Sequence, residues 1–153
     1  MRQFQSVIRG FCYGDPDRGR HIAVTDDKEV ICVANSEGFK KGIAWLHEPY
    51  AQGLIDPEAF TQDQYRLDWI KDIYTPDMNH KYVYPNVFMS TEDTKKISDL
   101  SADISKCINT AKADWVMNGF TDADWDKLQS DLDAYGLKDY LAIFQKYLDA
   151  YYA

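Results

Sequence analysis

Residues 90–152 read STEDTKKISDLSADISKCINTAKADWVMNGFTDADWDKLQSDLDAYGLKDYLAIFQKYLDAYY. Apolar residues recur here every three or four positions. Ile97, Leu100, Ile104, Ile108, Ala111 and Trp115 share one helical face. Ser90 or Thr91 stands where an N-cap belongs, and Gly119 stops the run. Thr121 caps a second helix, with Asp122 and Asp124 in its first turn, where carboxylates meet the positive end of the helix dipole. Its stripe is Trp125, Leu128, Leu132 and Tyr135, and Gly136 closes it. A last helix carries Tyr140, Leu141, Phe144, Leu148 and Tyr151. Turns this short predict antiparallel packing.

Upstream the period changes. His21 to Thr25 places Ile22 and Val24 on one side, and Glu29 to Ala34 carries Val30, Ile31 and Val33. Asp26-Asp27-Lys28 between them is turn chemistry, so a β-hairpin is predicted. Ser36 then caps a helix whose face is Phe39, Ile43, Leu46 and Tyr50. Pro49 predicts a kink or early fray near Trp45, and Gly53 is the C-terminal stop. Asp56-Pro57-Glu58 has the order of a short helix start, and Tyr65 to Tyr74 can form a helix on Leu67, Ile70 and Ile73. Tyr82-Val83-Tyr84-Pro85 is extended, because a residue before proline avoids helical angles. Gly10, Gly14, Pro16 and Gly19 break any period in residues 1–20, which predicts a loop-rich start.

The fold expected is α+β and mainly helical, a small hairpin sheet packed with a C-terminal antiparallel helical subdomain. One domain is expected over 1–153: loop and hairpin to 35, helix and irregular segment over 36–90, three helices over 91–153. A chain of 153 residues can bury a sizeable core.

Composition narrows the function. The net charge of −8 argues against nucleic acid, which needs a concentrated positive patch. Arg18 and Arg20 lie beside Asp15 and Asp17, as in a solvated loop. No apolar run approaches the ~20 residues needed to span a bilayer. Met1 to Gly10 lacks the apolar core of a secretion signal. Cys12, Cys32 and Cys107 are far apart, and His21, His47 and His80 are scattered, so neither a metal nor another cofactor is expected. The cysteines read as buried thiols; a Cys12–Cys32 bridge is open to them only if their segments pair.

No motif of nucleophilic, zinc or phosphate chemistry occurs. Asp122, Asp124 and Asp126 alternate as in a calcium loop, but the glycine and the distal glutamate of such a loop are missing. An acidic first helical turn explains them. Carboxylate pairs carry no specificity in so acidic a chain, so no enzyme activity is expected. Of the four tryptophans, Trp115 and Trp125 lie on apolar helical faces and read as core. Trp45 is off its helix's stripe, and Trp69 sits among polar residues. A flat ring beside polar groups suits a sugar, whose C–H face packs on the ring while its hydroxyls find partners. Trp69 and Trp45 are therefore the ligand-contact candidates, followed by Tyr82 and Tyr84.

Lys40-Lys41-Gly42-Ile43-Ala44-Trp45-Leu46 is followed by a run from Tyr50 to Asp63, YAQGLIDPEAFTQD. Together they resemble a stretch of the family 1 extracellular solute-binding proteins, the lipoprotein receptors of carbohydrate ABC importers. The C-terminal part is similar to that family's closing helices, through Tyr84-Pro85, Thr91-Glu92, Leu100 to Ile104, Gly119-Phe120-Thr121, Trp125-Asp126 and Leu132 to Leu137. Tyr140 to Tyr152 resembles its terminal motif. Where these receptors often read D-G-K-V, this chain has Asp27-Lys28-Glu29-Val30.

The resemblance covers most of residues 11–152 and implies oligosaccharide or other small-solute binding, permease subunits as partners and a place at the cell surface. Three departures accompany it. The segment from Asp63 to Tyr84 is far shorter than the family's, which inserts much of one lobe there; no secretion signal or lipid-modified cysteine is read; and Pro49 takes a helix-friendly position. The chain thus resembles part of a receptor, cytoplasmic if expressed as written, with weak or absent sugar affinity expected. The competing expectation is a structural or protein-interaction module, marked by an exposed apolar patch.

Overall fold

A computed structural model describes residues 20–55 and 83–153. Strands β1 (Ile22–Val24) and β2 (Val30–Cys32) pair antiparallel, with Ala23 opposite Ile31. The Thr25 N–H donates to the Glu29 carbonyl at 2.9 Å and the Lys28 N–H to the Thr25 carbonyl at 3.0 Å. Such a loop needs a left-handed residue before the second strand, and Lys28 supplies it with φ 62°. The second strand is shorter than predicted. Val33–Asn35 forms a 3-10 turn, because the Ser36 N–H and hydroxyl both bond back to the Val33 carbonyl as the chain swings into the next helix.

Lys28 holds its position at a cost. A side chain in the left-handed region costs about 1–2 kcal/mol, partly offset because its Nζ lies 4.2 Å from the centroid of the Tyr152 ring. Lys28→Ala loses the ring contact and keeps the strain; Lys28→Gly loses both. Urea unfolding should therefore find the glycine variant more stable than the alanine one by about 1 kcal/mol. Equal midpoints would show that the backbone there is unstrained.

The outer edge of β2 is closed by a side chain. The Val30 N–H donates to Gln145 Oε1 at 2.7 Å, and Gln145 Nε2 donates to the Lys28 carbonyl at 3.0 Å. Residues two apart show their polar groups to the same strand edge. The carboxamide stands where a neighbouring strand's peptide group would be.

Helix α1 (Glu37–Ala51) starts on Ser36, whose hydroxyl accepts the Phe39 N–H, and buries Phe39, Gly42, Ile43 and Leu46. It runs through Pro49, so the early fray near Trp45 does not occur. The lost N–H is one bond, and the turn beyond restores order. Gly53, at φ 71°, donates its N–H to the Tyr50 carbonyl, and the Leu54 N–H reaches the Pro49 carbonyl. This pair of bonds is a Schellman stop. The helix starts expected after Asp56 and over Tyr65 to Tyr74, and residues 1–19 with Cys12, lie outside the described residues.

Helices α2 (Thr91–Asn118), α3 (Asp122–Ala134) and α4 (Leu137–Tyr152) follow the predicted stripes and stops. Ile104, Ile108, Trp115, Trp125, Leu128, Leu132, Tyr140, Phe144 and Leu148 are buried in one core with the hairpin and α1. The stripe ends differ: Tyr135 and Tyr151 are exposed, since each sits where its helix runs out of partners. Cys32 is buried and Cys107 half-buried, its thiol pushed up by burial. Among the described residues no helix is long and apolar enough to cross a membrane.

Besides Gln145, further long-range bonds tie α4 to the rest of the fold. The Tyr84 hydroxyl donates to the Phe144 carbonyl at 2.7 Å, anchoring the segment that leads into α2. Asp93, in the first turn of α2, accepts from Lys146 Nζ at 2.9 Å and from the Tyr147 hydroxyl at 2.8 Å. Those bonds, Lys146 first, hold its carboxyl at about 2, below the ordinary 3.8. A depressed carboxylate contributes stability above its unfolded value and loses it as pH falls through the folded one. This latch therefore weakens between about pH 4 and pH 2.

Candidate functional site

An open cleft of about 710 Å³ lies where α1 meets the turn between α2 and α3. Lys40, Ala44, His47 and Glu48 face it from α1, at spacings of four, three and one that share a helical side. Asn118, Gly119, Phe120, Thr121, Asp122 and Asp124 form the opposite wall. Gly119 reaches φ 78°, ψ 178°, and its N–H closes α2 on the Trp115 carbonyl. Phe120 then stacks on Trp115 with ring centroids 4.7 Å apart, while Trp125 lies 6.0 Å from Trp115.

The polar groups of this wall hold the fold together. Lys40 Nζ binds Asp122 Oδ1 at 2.6 Å and lies 5.5 Å from the Trp125 ring centroid, and the Asp122 bond raises the lysine's pKa. Thr121 and Asp124 form a reciprocal capping box: each side chain accepts the other's backbone N–H. Its bonds to Thr121 lower the Asp124 pKa. His47 Nδ1 lies 2.9 Å from the Val116 carbonyl, a contact that puts the proton on Nδ1 and leaves Nε2 facing Gly119. The hydroxyl–carboxylate contact in the cleft, Thr121 to Asp124 at 2.7 Å, belongs to the cap. Asp122 and Asp124 thus do what an acidic first turn does. Among the described residues no cluster of three or more His, Cys, Asp or Glu side chains could hold a metal.

The aromatic candidates are scattered. Trp45 is 48% exposed. It does not line the cleft: at about 100° per residue it falls beyond the arc of α1 that runs from His47 through Lys40 and Ala44 to Glu48. Tyr84 is 3% exposed, its ring edge-on to Phe144 at 5.1 Å, so it is part of the core. Trp69 and Tyr82 lie outside the described residues. Trp115 and Trp125 are buried, as read. Phe88 is a residue that sequence reasoning passed over: it is 102% exposed. The available signal was the alternation of Asn86 and Phe88 with apolar Val87 and Met89 after Pro85.

No family model matches the chain. A curated relative does: the fructooligosaccharide ABC transporter substrate-binding protein FusA of Streptococcus pneumoniae serotype 4 is 47% identical over 90 residues, 59% of this chain and 17% of that protein. Among solved structures, S. pneumoniae FusA in complex with kestose aligns with a TM-score of 0.80 at 20% identity, covering 97% of this chain and 60% of that one. An EF-hand mutant of FusA in complex with fructo-nystose aligns with a TM-score of 0.76, at the same identity and coverage. The architecture is thus that of part of a substrate-binding protein, and the chain spans less than two thirds of each relative's length.

Proposed function

We propose, from the premise that this chain shares sequence and fold with an ABC transporter substrate-binding protein, that it supplies part of the oligosaccharide-binding surface of such a receptor. The similarity of nearly the whole described fold to a protein solved with a bound fructooligosaccharide carries the reading. In the cleft Lys40 and Asp122 are engaged in an ion pair and Thr121 and Asp124 in a cap, so these four side chains serve the fold. Half-exposed Trp45, with Trp69 and Tyr82, remains a candidate for sugar contact. Permease subunits are the partners, and the extracellular face is the place of action.

Two-dimensional NMR of the labelled chain, titrated with kestose and nystose against maltotriose, tests this. Saturable amide shifts with the fructooligosaccharides are expected, with a Kd on the order of 1 mM, about 4 kcal/mol, because one wall of a cleft offers few contacts. Absence of saturable shifts with every sugar would refute the reading. A second reading, a protein-interaction module, is favoured by Leu54, 73% exposed, together with Trp45. Concentration-dependent self-association without sugar binding would support it.

A further inference from the structure

The segment from Val83 to Ser90 has neither helix nor strand, yet it is held at both ends. Tyr84 is buried and bonded to the Phe144 carbonyl. The Ser90 N–H donates to the Tyr147 hydroxyl at 2.9 Å, and the Ser90 side chain caps α2. Between these anchors burial alternates. Val87 and Met89 pack against the core, while Asn86 and Phe88 are exposed. From Asn86 to Met89 burial has the period of two of an extended chain, which sets residues i and i+2 on one side about 6.6 Å apart; buried Tyr84, two residues before Asn86, does not follow it.

Two features of the outward side matter together. A ring left wholly in water forfeits all burial, yet its backbone neighbours are pinned by the core. The Asn86 carboxamide, two residues away, makes no hydrogen bond with any described residue. Beyond them Ser90, Thr91 and Glu92 are exposed and polar. A protein contact is built around a contiguous apolar centre, and no such centre surrounds Phe88 along this segment. A single ring beside a carboxamide suits a sugar: the C–H face packs on the ring and a vicinal hydroxyl pair meets the amide's donor and acceptor.

The geometry points to Asn86 and Phe88 as a sugar subsite, one residue stacking and the other orienting, on a strip made rigid by Tyr84 and Ser90. This assignment rests on the oligosaccharide reading above and names residues other than Trp45 and the lining of the α1–α3 cleft.

The test compares kestose titrations of the whole chain, followed by NMR, for wild type, Phe88→Ala, Phe88→Tyr, Asn86→Ala and Trp45→Ala. The expected result is that wild-type shifts centre on the amides of residues 86–92. Phe88→Ala weakens binding about tenfold, the scale of one lost aromatic contact. Phe88→Tyr binds as wild type, Asn86→Ala binds more weakly, and Trp45→Ala retains the shifts at 86–92. Unfolding midpoints stay unchanged, since both side chains lie outside the core. Wild-type binding that survives Phe88→Ala undiminished overturns the subsite and leaves the receptor reading intact. Failure of wild type to bind any oligosaccharide overturns both. A Phe88-dependent dimer would give the ring to a protein contact, which also overturns it.

Discussion

Phe144→Ala is expected to destabilise the chain by about 3–5 kcal/mol, the range for emptying a buried aromatic site. Phe144 is 1% exposed and central to an aromatic group, with Tyr84 at 5.1 Å and Tyr140 at 4.9 Å, both edge-on. The Arg20 guanidinium carbon lies 5.9 Å from the centroid of the same ring. The walls of the resulting cavity cannot collapse freely, because both tyrosines are tethered by hydroxyl bonds, Tyr84 to the Phe144 carbonyl and Tyr140 to the Arg20 carbonyl. Restricted collapse puts the loss toward the upper end of that range. At this chain length the melting temperature should fall by roughly 10–15 °C. Urea unfolding followed by circular dichroism checks it; a loss below about 1 kcal/mol would mean that the site repacks and the tethers are not rigid.

Gly119→Ala should have the second largest effect, about 2–4 kcal/mol, combining backbone strain with a damaged hydrogen bond. The pair φ 78°, ψ 178° lies in a region that side chains avoid. A Cβ there would also stand 3.1 Å from His47 Nε2 and 3.4 Å from Cε1. The imidazole can retreat only by loosening its contact with the Val116 carbonyl. A double-mutant cycle separates the causes. In a His47→Ala background the steric part disappears and the backbone part remains, so Gly119→Ala should cost less there by about 1 kcal/mol. Equal losses in both backgrounds would place the whole effect in the backbone, and no loss in either would contradict the left-handed geometry.

The three C-terminal helices were legible because their signals are local. Ser90, Thr121, Gly119 and Gly136 mark ends within a few residues of the stripes they bound. Trp115 and Trp125 were readable as core for the same reason. Pro49 does not fray α1, because the buried face of that helix and the stop at Gly53 outweigh one missing N–H. Nothing in the sequence around Tyr84 reports that its ring is buried. Its actual partner, Phe144, lies 60 positions away, and no periodicity reports a contact at that distance. The cleft walls were invisible for the same reason: Lys40 and Asp122 are 82 positions apart. The family resemblance supplied what periodicity could not, and it did so through motifs and not through any single residue's chemistry.

Gln145 makes the sheet's border depend on one side chain. Sheets usually protect a border with a further strand, a charge or a bulge, each spread over several residues. Here the safeguard is a single carboxamide that lies 115 positions from Val30 and comes from another element. Losing a whole strand takes a deletion, whereas exchanging this amide takes one codon. An acid at the position could still accept from Val30 but could not donate to Lys28 when ionised. The edge would then keep its bond at Val30 and lose the one at the Lys28 carbonyl, with the buried core residues unchanged. The cover of this strand edge and the packing of the core thus rest on different residues of one helix, Gln145 and Phe144, so sequence drift can touch the first while leaving the second in place.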